Sequence, residues 1–157
     1  MGAHPVTLRA ATRTDVPYIM NSWLNSHRHS YHTRGVEGPV YYAEQRKLCE
    51  LLTTRGTVLI ACDTQEPDDI FGWVCAEMVD NMLVVHFMMV KGAFQDHRIG
   101  TTLMEALLAS EPDCRAILYT HQTKAGRKWA EKMADKTDLP VGYNPYFMYR
   151  TMGAAWG

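Results

Sequence analysis

Apolar residues along the chain alternate between two spacings, and the changes of spacing mark out strands and helices. Residues 5 to 10, PVTLRA, alternate in the manner of a short strand. Val16, Ile19, Met20, Trp23 and Leu24 then recur at helical spacing and predict an amphipathic helix. Ahead of that helix, Thr12 and Asp15 have capping-box spacing, with the Asp15 carboxylate set to accept backbone N–H groups and to favour the positive end of the helix dipole. After a Gly- and Pro-containing loop, Pro39 opens a second helix in which Tyr41, Leu48 and Leu52 share a face, and Gly56 ends it.

Residues 57 to 63, TVLIACD, read as a buried strand. IFGWVCAEMV (70 to 79) and MLVVHFMMV (82 to 90) read as two long strands of a hairpin joined at Asp80 and Asn81. Ile99, Leu103 and Leu107, four apart, predict a helix that starts at Arg98 or Ile99. A strand over 115 to 122 follows, then a helix with Ala125, Trp129 and Met133 on one face, then a last strand over 142 to 150. The order is β-α-α-β-β-β-α-β-α-β, with no repeat and no linker, so residues 1 to 157 form a single domain. Its predicted class is α/β in the α+β sense: a mixed sheet with helices on both faces.

Composition narrows the function classes. Sixteen Lys and Arg against 17 Asp and Glu leave a net charge of −1, which gives no bulk electrostatic reason to bind nucleic acid or an anionic membrane. No membrane-span-length apolar run is present and the first residues carry no apolar signal core, so a soluble, cytoplasmic chain is expected. Cys49, Cys62, Cys75 and Cys114 sit in apolar runs without CxxC spacing and read as reduced core thiols. His27, His29 and His32 with two arginines crowd residues 27 to 34, but lack metal-ligand spacing; no metal is expected, and the loop reads as substrate-contacting or as a solvated helix end.

Chemistry concentrates in residues 90 to 103, VKGAFQDHRIGTTL, where a strand ends, a short loop follows and a helix begins. The first-turn N–H groups of a helix lack intrahelical partners and the dipole adds partial positive charge, so a pyrophosphate can bind there without dedicated cations. Gly100 allows the backbone to approach such a ligand closely.

This segment resembles the GNAT superfamily of acyl-CoA-dependent N-acetyltransferases, whose motif is Q/R-x-x-G-x-G/A after a strand ending in Val. Here the run is Gln95, Asp96, His97, Arg98, Ile99, Gly100, with Val90 five residues before Gln95. Element order is similar over nearly the whole chain, LRAATRTDVPYI resembles the family's opening, and Gln122, Ala125 and Trp129 resemble its Asn-x-x-Ala to Tyr stretch. The resemblance implies a mainly antiparallel mixed sheet and acetyl-CoA as co-substrate. It implies that the pyrophosphate is held by backbone from Asp96 to Thr101, with Gln95 and Gln122 nearby, and the pantetheine arm by strand backbone at Met88, Met89 and Val90. Two departures stand out: Arg98 occupies the place of the first motif Gly, and Trp129 the place of the Tyr often assigned to protonate the departing thiolate.

Amide formation from a thioester needs a neutral amine, and a Lys-type amine arrives charged with a pKa of about 10.4. A two-residue turn at Asp80 and Asn81 pairs Glu77 with Val84 and Cys75 with His86, which makes Glu77 and His86 diagonal neighbours on one face. They are the candidate bases, against the alternative of a structural Glu and a hydrogen-bonded core His. A bulge, common in the family's fourth strand, would turn later side chains over. Tyr119, Tyr146 and Tyr149 are candidate acids, with Tyr146, beside Asn144 and Pro145, preferred.

The expected activity is acetyl transfer from acetyl-CoA to a primary amine, on a small molecule or a protein, by direct attack in a ternary complex. The alternatives are a catalytically silent acyl-CoA-binding or protein-interaction module, and a nucleic-acid-modifying member of the same fold using TKAGRKWAEK. No membrane partner is expected, and the aromatic final segment either completes a homodimer surface or closes the sheet.

Overall fold

The computed structural model describes residues 5–28, 38–120 and 124–144. Its strands are β1 (Val6–Ala10), β2 (Thr57–Asp63), β3 (Ile70–Val79), β4 (Met82–Val90), β5 (Ala116–Tyr119) and β6 (Val141–Tyr143). Its helices are α1 (Val16–Arg28), α2 (Gly38–Arg55), α3 (Ile99–Ser110) and α4 (Lys124–Thr137). The strands form one sheet in chain order, antiparallel from β1 to β4 and parallel from β4 to β6. This is the mixed, mainly antiparallel α+β arrangement expected. The last strand, expected over 142 to 150, is described over Val141–Tyr143, and residues from 145 onward lie outside the described residues.

Each face of the sheet has its own core. Ile19, Trp23 and Leu24 of α1 and Tyr41, Leu48 and Leu52 of α2 pack on Ile60, Trp73, Cys75 and Phe87. On the other face Ile99, Leu103 and Met104 of α3 and Met133 of α4 pack on Phe71, Val74, Leu83, Val85 and Ile117. The expected helix faces are the buried ones except at Val16, which is 46% exposed at the start of α1, and the side chain of Ala125 lies outside the described residues. Gly72 permits the second packing: a β-carbon there would lie 2.8 Å from the Met89 carbonyl oxygen and 3.1 Å from Ile99 Cγ2, so α3 and β4 close on bare backbone. The cysteines are free thiols, and burial pushes Cys49 and Cys75 up to about 12, which leaves both inert.

Asp15 caps the entry to α1 as expected, and the fold adds a partner. Its carboxylate accepts bonds from Thr12 N–H at 2.7 Å and from the Arg9 guanidinium at 2.7 and 2.9 Å. Arg9 above all, with Thr12, holds the Asp15 pKa down at about 2. A carboxylate depressed on folding contributes stability that is present above the unfolded value of about 3.9 and lost as pH falls towards 2. Asp15→Asn is therefore expected to cost about 2 kcal/mol at pH 7 and nearly nothing at pH 2. Urea midpoints at the two pH values measure the difference, and an equal loss at both would contradict it.

The hairpin register departs from expectation at one place. Asp80 and Asn81 have φ of 51° and 63°, as a two-residue primed turn requires. Val79 pairs with Met82 and Glu77 with Val84 as expected, but Cys75 pairs with Phe87 rather than with His86. His86 is the extra residue of a bulge between Val85 and Phe87. The bulge changes the facing of everything beyond it: Leu83 and Val85 face α3, while Phe87 joins Trp23 and Trp73 on the α1 face, at ring separations of 5.3 and 5.6 Å. The run MLVVHFMMV is apolar nearly throughout, so its own pattern cannot pin the register, and aromatic packing decides it.

Candidate active site

The bulge lies where β4 and β5 part. Their ladder runs from Met82 and Ala116 to Val85 and Tyr119, and β5 ends there while β4 continues to Val90. Thr120 secures the junction: its N–H donates to the Val85 carbonyl at 3.2 Å and its hydroxyl to the His86 carbonyl at 3.1 Å.

His86 is 0% exposed. Its Nε2 lies 2.8 Å from Glu77 Oε1, so the pair predicted as diagonal neighbours is in direct contact. Arg55 Nη2, at the end of α2, stands 3.5 Å from the same carboxylate oxygen. Burial pushes the His86 pKa below its ordinary value, with Glu77 pulling the other way. The imidazole is therefore neutral at pH 7, and the carboxylate makes Nε2 the protonated nitrogen. Nδ1 is then an acceptor, buried without a hydrogen-bond partner among the described residues.

On the opposite face, α3 begins at Ile99 after Arg98, whose φ of 60° and ψ of 24° are left-handed. Among the described residues no side chain caps the helix, and no acidic residue lies in its first turn, which leaves its N–H groups and dipole for a ligand. That is the chemistry a pyrophosphate needs. The side chains of Ile99 and Thr101 are buried, at 2% and 4% exposure, so these two residues offer only backbone. At Gly100 a β-carbon would lie 3.4 Å from Met88 Cε and 3.8 Å from Trp129 Cδ1, so α3, β4 and α4 converge there. Met88 and Val90 pack with the α3-side core and Met89 with the α1-side core.

Trp129 packs against the α3-side core, with its ring edge-to-face on Tyr119 at 6.3 Å, which argues against a base-stacking surface residue. Its Nε1 is buried and has no hydrogen-bond partner among the described residues. Tyr119 is 9% exposed and also packs on Tyr143 at 5.4 Å, as a core aromatic does.

Arg98 carries a conformational cost of about 1–2 kcal/mol that glycine would not have. Arg98→Gly is expected to raise stability by about 0.5–1 kcal/mol and the melting temperature by a few degrees. Calorimetric melting of the two proteins checks it, and a lower melting temperature would show that the Arg98 side chain makes a compensating contact.

Gln95, Asp96 and His97 lie in a 3-10 turn, Gly92–His97, and their side chains are outside the described residues. Gln122, Tyr146 and Tyr149 are outside them too, as are residues 29–37 of the histidine loop. Arg55 and Thr120 escaped the sequence reading: a lone Arg at a helix end and a Thr after a strand carry no pattern. Among the described residues no three His, Cys, Asp or Glu gather as metal ligands, and no helix is long and apolar enough to cross a membrane. A groove of about 410 Å³ lined by Ala10, Thr12, Arg13, Val16, Thr53 and Thr57, among others, shares no residue with this site.

Comparison with known proteins agrees with this geometry. Residues 19–136 match the sequence model of the Acetyltransferase (GNAT) family. No curated protein sequence matches. Among solved structures, a histone acetyltransferase HPA2 and related acetyltransferase from Corynebacterium glutamicum superposes with a TM-score of 0.63 and 15% identity, covering 83% of this chain and 84% of that one. A GNAT family acetyltransferase from Brucella melitensis in complex with acetyl-CoA gives 0.55 and 14%, over 81% and 82%. AAC(6')-Iy in complex with the bisubstrate analog CoA-S-monomethyl-acetylneamine gives 0.50 and 12%, over 85% and 90%.

Proposed function

Because this chain belongs to the GNAT acetyltransferase family, we propose that it transfers an acetyl group from acetyl-CoA to a primary amine by direct attack in a ternary complex. The observation that carries this reading is the parting of β4 from β5 at the bulge, between an uncapped helix N-terminus on one face and a buried, neutral imidazole on the other. The bound acetyl-CoA of the Brucella protein and the bisubstrate analog of AAC(6')-Iy support the co-substrate and the amine class.

The residues fit such a co-substrate. The first turn of α3, from Ile99 to Thr101, and the preceding turn would hold the pyrophosphate through backbone N–H groups, and Met88 to Val90 would line the pantetheine arm. Acetyl-CoA supplies the activated acyl group. His86 Nδ1 is the base: neutral at pH 7, it takes the ammonium proton directly or through one water, while Nε2–H stays on Glu77. Glu77 orients the ring and stabilises the imidazolium that forms, and Arg55 anchors Glu77. Thr120, by holding the His86 carbonyl, fixes the bulge that aims the ring.

Calorimetric titration of acetyl-CoA and CoA, followed by thiol release across a panel of primary amines, tests the reading. Saturable micromolar binding, its loss in Gly100→Leu, and amine-dependent release are expected. Absence of binding to the wild-type protein would refute the reading, whereas binding without release to any amine would favour a silent acyl-CoA-binding module.

A further inference from the structure

The groove that lies apart from the candidate active site opens between the β1–α1 turn and the α2–β2 turn, and its two walls prefer opposite charges. Its volume of about 410 Å³ is that of a small-molecule site. Val16, Ile19, Met20 and Val58 give it an aliphatic lining, and Val16, left 46% exposed at the start of α1, is part of it. The first wall carries Arg13. Its guanidinium makes no hydrogen bond or ion pair among the described residues, and no acidic side chain shares the lining. A guanidinium so placed takes a carboxylate through paired N–H donors. The second wall is the end of α2. Thr53 and Thr54 donate their hydroxyl protons to the carbonyls of Cys49 at 2.8 Å and Glu50 at 2.7 Å, so both oxygens offer a ligand lone pairs only. Both residues also belong to the last turn of α2, where carbonyls lack intrahelical partners and the negative end of the dipole lies. Such a wall takes an ammonium group.

We propose that this groove binds an aliphatic α-amino acid as its zwitterion, with the carboxylate on Arg13, the ammonium on the end of α2 and the side chain along Val16, Ile19, Met20 and Val58. A simple anion would use one wall and a simple amine the other. An amino acid uses both walls and the aliphatic lining together, which is the combination of apolar surface and a few convergent polar groups that fixes a small ligand. None of these residues belongs to the candidate active site, so the bound amino acid is not the acetyl acceptor, and the site stands whether or not the chain transfers acetyl groups.

The test needs no coenzyme. L-Leucine is titrated into the full chain by calorimetry, beside 3-methylbutylamine, which lacks the carboxylate, and 4-methylpentanoate, which lacks the ammonium. Leucine is expected to bind saturably and each analogue about tenfold more weakly or worse, the range of a hydrogen bond to a charged group. Arg13→Gln, at an exposed position, is expected to weaken leucine by about 10- to 100-fold and to leave 3-methylbutylamine unchanged. With the methionine methyl groups labelled, leucine should move the Met20 resonance. Absence of leucine binding to wild type overturns the proposal. So does leucine binding that Arg13→Gln alters by less than about threefold, or that leaves the Met20 resonance in place, since the ligand then sits elsewhere. An analogue that binds as tightly as leucine overturns it too, because one of the two walls then contributes nothing.

Discussion

His86→Gln is expected to lower kcat/KM for amine acetylation by about 10²- to 10⁴-fold, the range of a general base, with little change in acetyl-CoA affinity. The Gln amide can still donate to Glu77 Oε1, so the fold keeps its buried bond while the titrating lone pair is gone. The pH profile identifies the base. Burial depresses the wild-type His86 pKa, so the acidic limb of kcat/KM lies below the ordinary histidine value of about 6.5. Glu77 raises that pKa, so Glu77→Gln is expected to move the limb to still lower pH. A profile unchanged in Glu77→Gln, or a His86→Gln enzyme within threefold of wild type, would remove His86 from the mechanism. Stability follows the same sign: a histidine buried neutral is protonated more readily when unfolded, so its contribution is present above about pH 6.5 and falls as pH drops below it.

Trp73→Ala is expected to cost about 3–5 kcal/mol of stability, the usual range for a buried large aromatic. Trp73 is 0% exposed, packs its ring at a tilt on Trp23 and Phe87 at 5.6 Å each, and donates from Nε1 to Ser22 Oγ at 3.0 Å. Since Phe87 reaches this cluster only through the bulge, the loss has a second consequence. The packing energy that favours the bulged register over the regular one falls, and with it the hold on the backbone that carries His86. Urea denaturation measures the first effect, and the His86 ring resonances of the folded variant report the second. A loss under 1 kcal/mol would mean that the aromatic cluster does not determine the register.

Much of this molecule is legible in its amino-acid order. Helix faces, the Asp80–Asn81 turn, the Asp15 cap and the strand-to-helix step at residues 90 to 103 all follow from contacts within a few residues, where spacing alone decides which side chains meet. Local sequence also placed Glu77 and His86 on one face, although for a regular ladder in which Cys75 faces His86. Their contact is as expected, and only the pairing beyond Val85 differs.

What only the tertiary structure decided involves partners far apart in the chain. The register beyond Val85 depends on Trp23 and Trp73 drawing Phe87 to their face, and an apolar run with no polar alternation is silent about that choice. Arg55 reaches Glu77 from the end of another helix, and Thr120 reaches the His86 carbonyl from another strand. The left-handed backbone at Arg98 is set by the turn that feeds α3, against the residue's own preference. The orphaned atoms of His86 and Trp129 belong to this second group, because whether a buried polar atom has a partner depends on everything packed around it. Sequence by itself determined the elements, their order and the helix start after the turn at residues 92 to 97, since those are short-range matters of period and capping. Which buried polar atoms are left without a partner among the described residues required the packed fold.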